Sequence, residues 1–346
     1  MSLEHFTLTG IIQHRAAWRL ALAALCVLPG AAASSSHSTP APIVPRSDRD
    51  RPGFTIGALR RDGLLQPFAS FDGRDWSAPW PDPSRVSSLP VALHDVPKKW
   101  WGAAGPGATW TAWFSNGETR PLTLIAPVAI QVFCSMQLAV RTNYRGALFE
   151  RGAPTVPKDG VAIGGTATLL PISNLSIPST DATEMLRLIT DDFNREEKAA
   201  TRRFTRWTHP FSDQQRQQVP IELEALYRAA DTTHRGTWTT NYLEAVRKFP
   251  PGPKDEGCGL ISFANAWVRQ REGGKPDVDL GVRIAYCDRA DVAFMQPFGR
   301  LIVRDEVYWV YQMSSWRDEL YTVARMTPND LKPVVAVSGG FCEQQR

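Results

Sequence analysis

From residue 54 onward the chain consists of short runs in which apolar and polar residues alternate, separated by residues that favour turns. The runs Phe54–Arg60 and Leu64–Phe71 flank an Asp62-Gly63 turn. Alternation with a period of two indicates a strand with one buried face, and Asp-Gly between two such runs is a strong hairpin signal. The sequence therefore predicts an antiparallel sheet near the start of the folded region.

Further runs of this kind extend the β-rich prediction over residues 53–178, and a second series fills residues 252–346. In the first segment they are 109–114, 122–126, 129–140 and 161–170; in the second they are 281–288, 299–304, 307–313, 319–326 and 333–337. Only a few turn residues separate the members of the second series. Such spacing is typical of a β-meander.

Between residues 179 and 251 the apolar spacing becomes helical. Asp181 and Glu184 form a capping box at the start of the first predicted helix. Its apolar face would consist of Met185, Leu188, Ile189 and Phe193. A second helix would begin at Pro220 and carry Leu223, Leu226, Tyr227 and Ala230, and a third would carry Tyr242, Ala245, Val246 and Phe249. This region is therefore predicted to be helical.

Together these patterns predict an α+β protein dominated by β structure. It would have an antiparallel N-terminal module, a central helical segment and a C-terminal β-meander. Because the helices fall in mid-chain and the cysteines lie on both sides of them, we expect a single folded body over residues 53–346.

The first 33 residues follow the order of a secretory signal peptide. Arg15 and Arg19 precede an apolar run over 20–28, and Ala31 and Ala33 supply the small residues of a cleavage site. The apolar run is too short for the roughly 30 Å hydrocarbon layer, so no membrane span is predicted in the mature chain. Residues 34–52 are rich in Ser, Pro and charge, which predicts a disordered linker. We therefore expect an exported protein, periplasmic or extracellular.

The charge and cysteine content limit the possible partners. The formal net charge of +4 is spread along the chain, whereas nucleic-acid binding requires clustered basic residues, so no nucleic-acid partner is predicted. Four cysteines follow the signal region and allow three disulfide pairings; they are Cys134, Cys258, Cys287 and Cys342. No C-x-x-C pair is present, and the folded body contains only His94, His209 and His234, so no metal site is predicted.

The most unusual local feature is a concentration of tryptophan among Pro, Gly and Asp. Half of the chain's 12 tryptophans fall here, namely Trp76, Trp80, Trp100, Trp101, Trp110 and Trp113. Exposed indoles stack on sugars and are enriched at binding surfaces, whereas buried ones fill irregular cores. We predict a ligand-binding surface at these residues, with core filling as the alternative.

Several acidic residues could provide the carboxylate pair of a secreted glycan hydrolase. The candidates are Asp72, Asp75, Glu244, Asp288 and Asp291. Such an enzyme needs two carboxyl groups about 5 to 9.5 Å apart, whereas acids in turns are common for backbone reasons alone. Glu244 is expected on the third helix.

Other local patterns favour structural roles. Cys258 could open a helix as a reactive thiol, but an exported chain with four cysteines favours a disulfide. Asp277 and Asp279 are spaced as in a calcium loop, yet the further ligands of an EF-hand are missing. Nucleotide-binding and acyl-transfer motifs are absent from the sequence, so no cofactor is predicted.

Three functions are compatible with these features. The leading hypothesis is non-enzymatic binding or scaffolding at the cell envelope or outside the cell, with a glycan as a candidate ligand of the tryptophan-rich surface. The alternative is a secreted hydrolase that uses a carboxylate pair. The third hypothesis is a purely structural component of the envelope.

Overall fold

A computed structural model describes residues 53–148, 156–203, 210–251, 259–290 and 292–342. These residues all belong to one compact unit of the chain. The predicted signal peptide, residues 1–33, and the predicted linker, residues 34–52, lie outside the described residues. The described part is dominated by antiparallel β structure around a long central helix, which confirms the predicted fold class.

Eight strands form an antiparallel N-terminal sheet. They are β1 Phe54–Arg60, β2 Leu64–Phe71, β3 Trp76–Ser77, β4 Trp110–Phe114, β5 Thr119–Leu122, β6 Leu124–Val132, β7 Ser135–Thr142 and β8 Lys158–Gly164. Their order is β5-β4-β8-β1-β2-β7-β6, with β3 paired to β2. The predicted β1–β2 hairpin is present. Its turn uses Gly63 at a φ of +84°, where a side chain would be strained.

A second antiparallel sheet, the helix-backed sheet, contains the residues predicted as helices two and three. Its strands are β9 Ser173–Asn174, β10 Glu222–Thr233, β11 Gly236–Lys248, β12 Leu260–Arg271 and β13 Pro276–Tyr286, in the order β13-β12-β11-β10-β9. The helix α2, Thr180–Arg203, packs on one face of this sheet. The first predicted helix is therefore confirmed. Ser179 caps it rather than Asp181, since Ser179 Oγ accepts a hydrogen bond from Ala182 N.

The central sheet is the predicted C-terminal meander. Its strands are β14 Phe294–Val303, β15 Glu306–Ser314, β16 Asp318–Thr327 and β17 Asp330–Phe341, paired in chain order. The predicted first member of the meander, residues 281–288, instead overlaps the end of β13 in the helix-backed sheet. Two short helices, α1 Lys98–Trp101 and α3 Asp213–Gln218, complete the α-helices of the described residues, which also include the 3-10 helices Pro83–Arg85 and Leu93–Asp95.

The central sheet is covered on both faces. Tyr308 and Val310 of β15 join the N-terminal sheet in one core. The alternate residues Trp309 and Tyr311 point the other way, and their rings lie 5.1 and 5.8 Å from that of Trp267 in the helix-backed sheet. The layers therefore follow the order α2, helix-backed sheet, central sheet and N-terminal sheet.

The second and third predicted helices were wrong, and both errors have a physical cause. A β-bulge between Leu223 and Ala225 puts Leu223 and Leu226 on the same face of β10, although three positions separate them. Strand β11 is buried on both faces, so that the adjacent residues Ala245 and Val246 belong to different cores. Both situations place apolar residues at spacings that resemble a helix.

Two strand predictions also had wrong bounds. The run 129–140 is interrupted by the turn between β6 and β7, where Phe133 has a φ of +52°. The run 161–170 corresponds to β8, which ends at Gly164. Beyond it, Leu170 bridges to Arg300 on β14, and Ser173 pairs with β10. This segment therefore passes from the edge of the central sheet to the edge of the helix-backed sheet.

Candidate functional site

The six tryptophans predicted to bind a ligand are largely packed against the protein. Trp101 and Trp110 are buried in a core on the N-terminal sheet, and Trp80 and Trp100 lie partly buried against that core. Trp76 and Trp113 pack instead against the core shared with the central sheet.

The rings meet edge to face rather than in one plane. Trp80 contacts Trp101 with centroids 5.1 Å apart and an interplanar angle of 61°, and Trp101 contacts Trp110 at 6.2 Å and 65°. Such a geometry stabilises packing between aromatic rings. The tryptophan-rich segment therefore forms one packed aromatic cluster of Trp80, Trp100, Trp101 and Trp110, whereas Trp76 and Trp113 belong to a different core. Four of the six rings are half-buried, and those of Trp101 and Trp110 are buried.

This cluster holds residues 78–109, which connect β3 to β4 and which we call the Trp-braced loop. Trp80 Nε1 donates a hydrogen bond to Leu138 O at 3.0 Å, and Trp101 O accepts one from Thr55 Oγ1 at 2.6 Å. Gly102 has a φ of +67°, and a Cβ there would collide with Ser70. The loop is thus fixed to the N-terminal sheet by specific contacts.

The Trp-braced loop also presents apolar and charged side chains to solvent. Val91 is 84% exposed and Leu89 is 48% exposed. The exposed charged residues of the loop are Arg85, Lys98, Lys99, Asp82 and Asp95. Exposed aliphatic residues on a well-anchored loop are a feature of protein contact surfaces, because anchoring reduces the entropy lost on binding.

Three of the predicted acidic residues lie in turns, and the carboxylates of two of them help to form those turns. Asp72 Oδ1 accepts hydrogen bonds from the backbone N–H groups of Arg74 and Asp75, both at 2.7 Å. The bonds from Asp75 and Arg74 lower the pKa of Asp72. Asp288 accepts a bond from Ala290 N at 3.1 Å in the turn after β13. These contacts are the backbone roles expected of acids in turns.

Asp291 lies outside the described residues. The fifth candidate, Glu244, is placed on strand β11 rather than on a helix. It lies on the face that meets the central sheet and is only 4% exposed. The described candidates thus lie on separate elements: Asp72 and Asp75 between β2 and β3, Asp288 after β13, and Glu244 within β11.

The Glu244 carboxyl sits in a small polar network. Its Oε1 accepts hydrogen bonds from Met295 N at 2.7 Å and from the Tyr242 hydroxyl at 3.2 Å. Asn265 Nδ2 in turn donates to the Tyr242 hydroxyl at 2.6 Å. Burial raises the pKa of Glu244 to about 7, against the lowering effect of the bonds from Met295 and Tyr242.

Glu224, which sequence reasoning missed, lies near Glu244. Arg289 holds the Glu224 carboxylate with two hydrogen bonds of 2.6 and 2.7 Å, and Lys248 lies 3.3 Å away. Burial pushes the pKa of Glu224 upward, but the bonds and charges of Arg289 and Lys248 leave it lowered. The charge of Glu224 further raises the pKa of Glu244. No residue pattern in the sequence predicts the nearby bulge in β10, so nothing in the sequence indicates that Glu224 lies near Glu244.

A pocket of about 280 Å³ lies next to Lys248 and Arg289, the two cations that hold Glu224. Aromatic and aliphatic side chains are among its other lining residues. Neither Glu224 nor Glu244 is among the lining residues that the structure describes.

One predicted disulfide is present between Cys134 and Cys342. Cys287 is disulfide-bonded as well, whereas Cys258 lies outside the described residues. The bond selects one of the three pairings that the sequence allowed.

The remaining candidates contact protein groups. Asp277 pairs with Arg269 at 2.6 Å, and both Asp277 and Asp279 lie on β13 instead of in a calcium loop. His234 Nδ1 contacts Asp305, His94 is exposed, and His209 lies outside the described residues. Within the described ranges, no group of three His, Cys, Asp or Glu side chains is arranged to hold a metal ion.

In the part of the chain that the structure describes, no helix has both the length and the hydropathy to cross a bilayer. The chain matches no protein-family model, and comparisons with curated proteins and with solved structures found no similar protein.

Proposed function

We propose that this is an exported, non-enzymatic binding or scaffolding protein whose contact surface is the Trp-braced loop. The observation that carries the proposal is the exposure of Val91 and Leu89 on a loop that buried tryptophans fix to the sheet below. Connections of this length in compact domains are commonly functional. A surface held in one conformation before binding loses little entropy when a partner docks.

The chemistry of the loop indicates which partner fits. Its exposed aliphatic residues suit a protein surface with an apolar centre. Its three exposed cations, Arg85, Lys98 and Lys99, outnumber its two exposed acids, Asp82 and Asp95, which favours a partner whose rim is partly acidic. A glycan partner would require flat indole faces, and the steep angles between these rings offer little coplanar area. We therefore favour a protein of the cell envelope as the partner.

Export is supported by the disulfide bond in the chain. Disulfides persist in oxidising compartments and are rare in a reducing cytosol. The bond between Cys134 and Cys342 is compatible with the periplasm or the extracellular space. Together with the signal-like order of residues 1–33, it favours a mature protein that works outside the cytoplasm.

The hydrolase alternative is best represented by Glu224 and Glu244. Their pKa values move in opposite directions, as expected of an acid and base pair. A hydrolase must bring its acid into contact with the substrate, however, and Glu244 is enclosed between two sheets. This arrangement favours the binding hypothesis.

Replacing Leu89 and Val91 together by Ser should weaken binding to an envelope fraction of the producing cell at least tenfold. Fully burying a Leu or Val side chain contributes about 1.5 to 3 kcal/mol, so the loss of both contacts should exceed the roughly 1.4 kcal/mol that corresponds to a tenfold change in affinity. The free energy of unfolding should change by about 1 kcal/mol or less, because both side chains are exposed. Co-sedimentation of the mature chain measures the binding, and urea unfolding measures the stability.

The matched control is the pair Ile125→Ser and Ile302→Ser, which removes exposed aliphatic groups outside the loop. Their exposures, 49% and 45%, match that of Leu89 and are lower than that of Val91. Equal binding by the two double variants would contradict the proposal, as would no binding by the unmodified chain. A saturable tryptophan fluorescence shift on adding polysaccharide, lost in Trp100→Ala, would assign a glycan instead of a protein partner.

A further inference from the structure

Strand β13 is the outer strand of the helix-backed sheet on the side opposite β9. Its residues 276–286 all pair with β12 in one register, and β12 is the only strand of the described residues that pairs with it. Natural sheets usually protect a long free edge with a bulge or with a proline inside the strand, because such an edge can pair with another chain. Strand β13, all of which the structure describes, has no bulge, and its one proline is its first residue.

The hydrogen bonds of the β12–β13 hairpin show which backbone groups face the free edge. Cys287 N donates to Gly259 O at 2.9 Å, one pair beyond the end of the two strands. Because the direction of backbone groups alternates along a strand, the odd-numbered residues of β13 direct their N–H and C=O groups toward β12. The even-numbered residues direct theirs outward, and no described residue bonds to them. These outward groups belong to Val278, Leu280, Val282 and Ile284.

The sequence of β13 is close to self-complementary about Gly281, its middle residue. Asp279 and Arg283 lie two positions before and after Gly281, and both side chains are exposed. Neither of them forms an ion pair with another described residue. On the opposite face, Leu280 and Val282 flank Gly281 and pack against the core beneath α2. Two antiparallel copies of this strand would therefore match acid with base on one face and apolar with apolar on the other.

We propose that a second copy of this chain pairs with β13 through its own β13, antiparallel and about a two-fold axis at Gly281. In this register Asp279 lies opposite Arg283 of the partner subunit, and the symmetry repeats the contact. The outward backbone groups of Leu280 meet those of Val282 of the partner subunit. Registers centred on Asp279 or on Arg283 would instead place like charges opposite each other. The contact lies in the helix-backed sheet, apart from the Trp-braced loop on the N-terminal sheet.

The substitution Gly281→Cys tests the register directly. Facing residues of a non-hydrogen-bonded antiparallel pair have Cα atoms about 4.5 Å apart, which suits a disulfide. A Cβ at Gly281 would meet no atom within 4 Å, so the subunit should fold as before. Under mild oxidation this variant should form a covalent dimer on a non-reducing gel. Asp279→Cys is the control and should form none, because its two copies would lie about 13 Å apart along the strands.

Charge reversal tests the pairing of Asp279 with Arg283. Sedimentation velocity of the unmodified mature chain at about 1 to 100 µM should show a dimer whose share rises with concentration. Asp279→Arg and Arg283→Asp should each raise the dissociation constant of the dimer at least about tenfold, because like charges then face each other. Combining both substitutions in one chain, or mixing the two single variants, brings opposite charges together again and should restore the dimer.

Asp330→Arg is the matched control, because Asp330 is an exposed aspartate on β17, an outer strand of the central sheet. It should dimerise as the unmodified chain does, and so should the Leu89→Ser and Val91→Ser double variant of the Trp-braced loop. A monomer over the whole concentration range for the unmodified chain would overturn the proposal. So would a dimer that neither single reversal weakens, a combined variant as weak as the single ones, or the absence of a covalent dimer in Gly281→Cys.

Discussion

Replacing Lys158 alone by Met should lower the free energy of unfolding by about 3 to 5 kcal/mol, as is typical when one partner of a buried ion pair is removed. Lys158 on β8 pairs with Glu319 on β16, and the two side chains are 1% and 0% exposed. Burial lowers the pKa of Lys158 despite the opposing charge of Glu319. Without the lysine, Glu319 would be left as a buried charge between the N-terminal and central sheets.

The other contacts of Glu319 show why the double variant should behave differently. The Tyr321 hydroxyl donates to Glu319 Oε1 at 2.7 Å, and Gln312 Nε2 lies 3.4 Å from Oε2. In Lys158→Met combined with Glu319→Gln, the amide oxygen can still accept the bond from Tyr321, and no unpaired charge remains. The new NH2 group would replace Oε2 and can donate to Gln312 Oε1, which has no hydrogen-bond partner among the described residues. We expect the double variant to recover most of the lost stability, because two neutral groups avoid the desolvation cost of the ions.

Urea unfolding of both single variants and the double variant measures the coupling between Lys158 and Glu319. The matched control is the exposed pair Arg120 and Glu118, where the same exchanges should cost less than about 1 kcal/mol. A cost below about 1 kcal/mol for Lys158→Met, or a double variant as unstable as the sum of the single variants, would contradict this account of the ion pair.

Replacing both Cys134 and Cys342 by Ser should lower the free energy of unfolding by about 3 to 5 kcal/mol. The bond joins residues 208 positions apart, and closing so long a loop removes about 5 kcal/mol of entropy from the unfolded chain in the simplest treatment. It connects the β6–β7 turn of the N-terminal sheet to the end of β17 in the central sheet. Guanidinium unfolding of the oxidised protein and of the Ser variant measures the difference.

The neighbouring hydrogen bonds provide a control for the disulfide. Ser135 Oγ accepts a bond from Phe341 N at 3.0 Å, and Cys134 N donates to Phe341 O at 3.2 Å. Ser135→Ala removes the first of these, together with the bonds that the Ser135 hydroxyl donates to Val132 O and accepts from Gln137 Nε2, and should cost about 1 to 2 kcal/mol. If the double Cys variant were no less stable than Ser135→Ala, the disulfide would contribute nothing beyond local contacts.

Local sequence patterns were reliable where turn residues or a single apolar face mark an element clearly. Helix α2 has one apolar face, which a short window of sequence reveals. The strands of the β1–β2 hairpin and of the central sheet are largely buried on both faces, but short turns between them mark their boundaries.

The same reasoning failed at β10 and β11 because the residues that bury these strands come from distant parts of the chain. The face of β11 that carries Tyr242 and Glu244 is buried by the central sheet, whose strands follow much later in the chain. The bulge after Leu223 then shifts the alternation in β10. A strand covered on both sides loses the polar positions that would distinguish it from a helix.

The candidate sites, like the fold, were predicted only in part from the sequence. The sequence identified the tryptophan cluster and named Glu244, but it placed Glu244 on a helix and left Glu224 unnoticed. The angles between the rings, the burial of Trp101 and the exposure of Val91 depend on how residues 78–109 pack on the N-terminal sheet. Packing of this kind depends on contacts between distant parts of the chain.

The sequence by itself determined the antiparallel β character, the long helix α2 and the C-terminal meander, because apolar periodicity and turn residues act over a few positions. Only the tertiary structure decided which side chains are enclosed. Lys158 meets Glu319, and Glu244 meets the Met295 backbone, because the sheets stack with the central sheet between the other two. Burial and pKa shifts follow from this stacking, since both depend on neighbours that are remote in sequence.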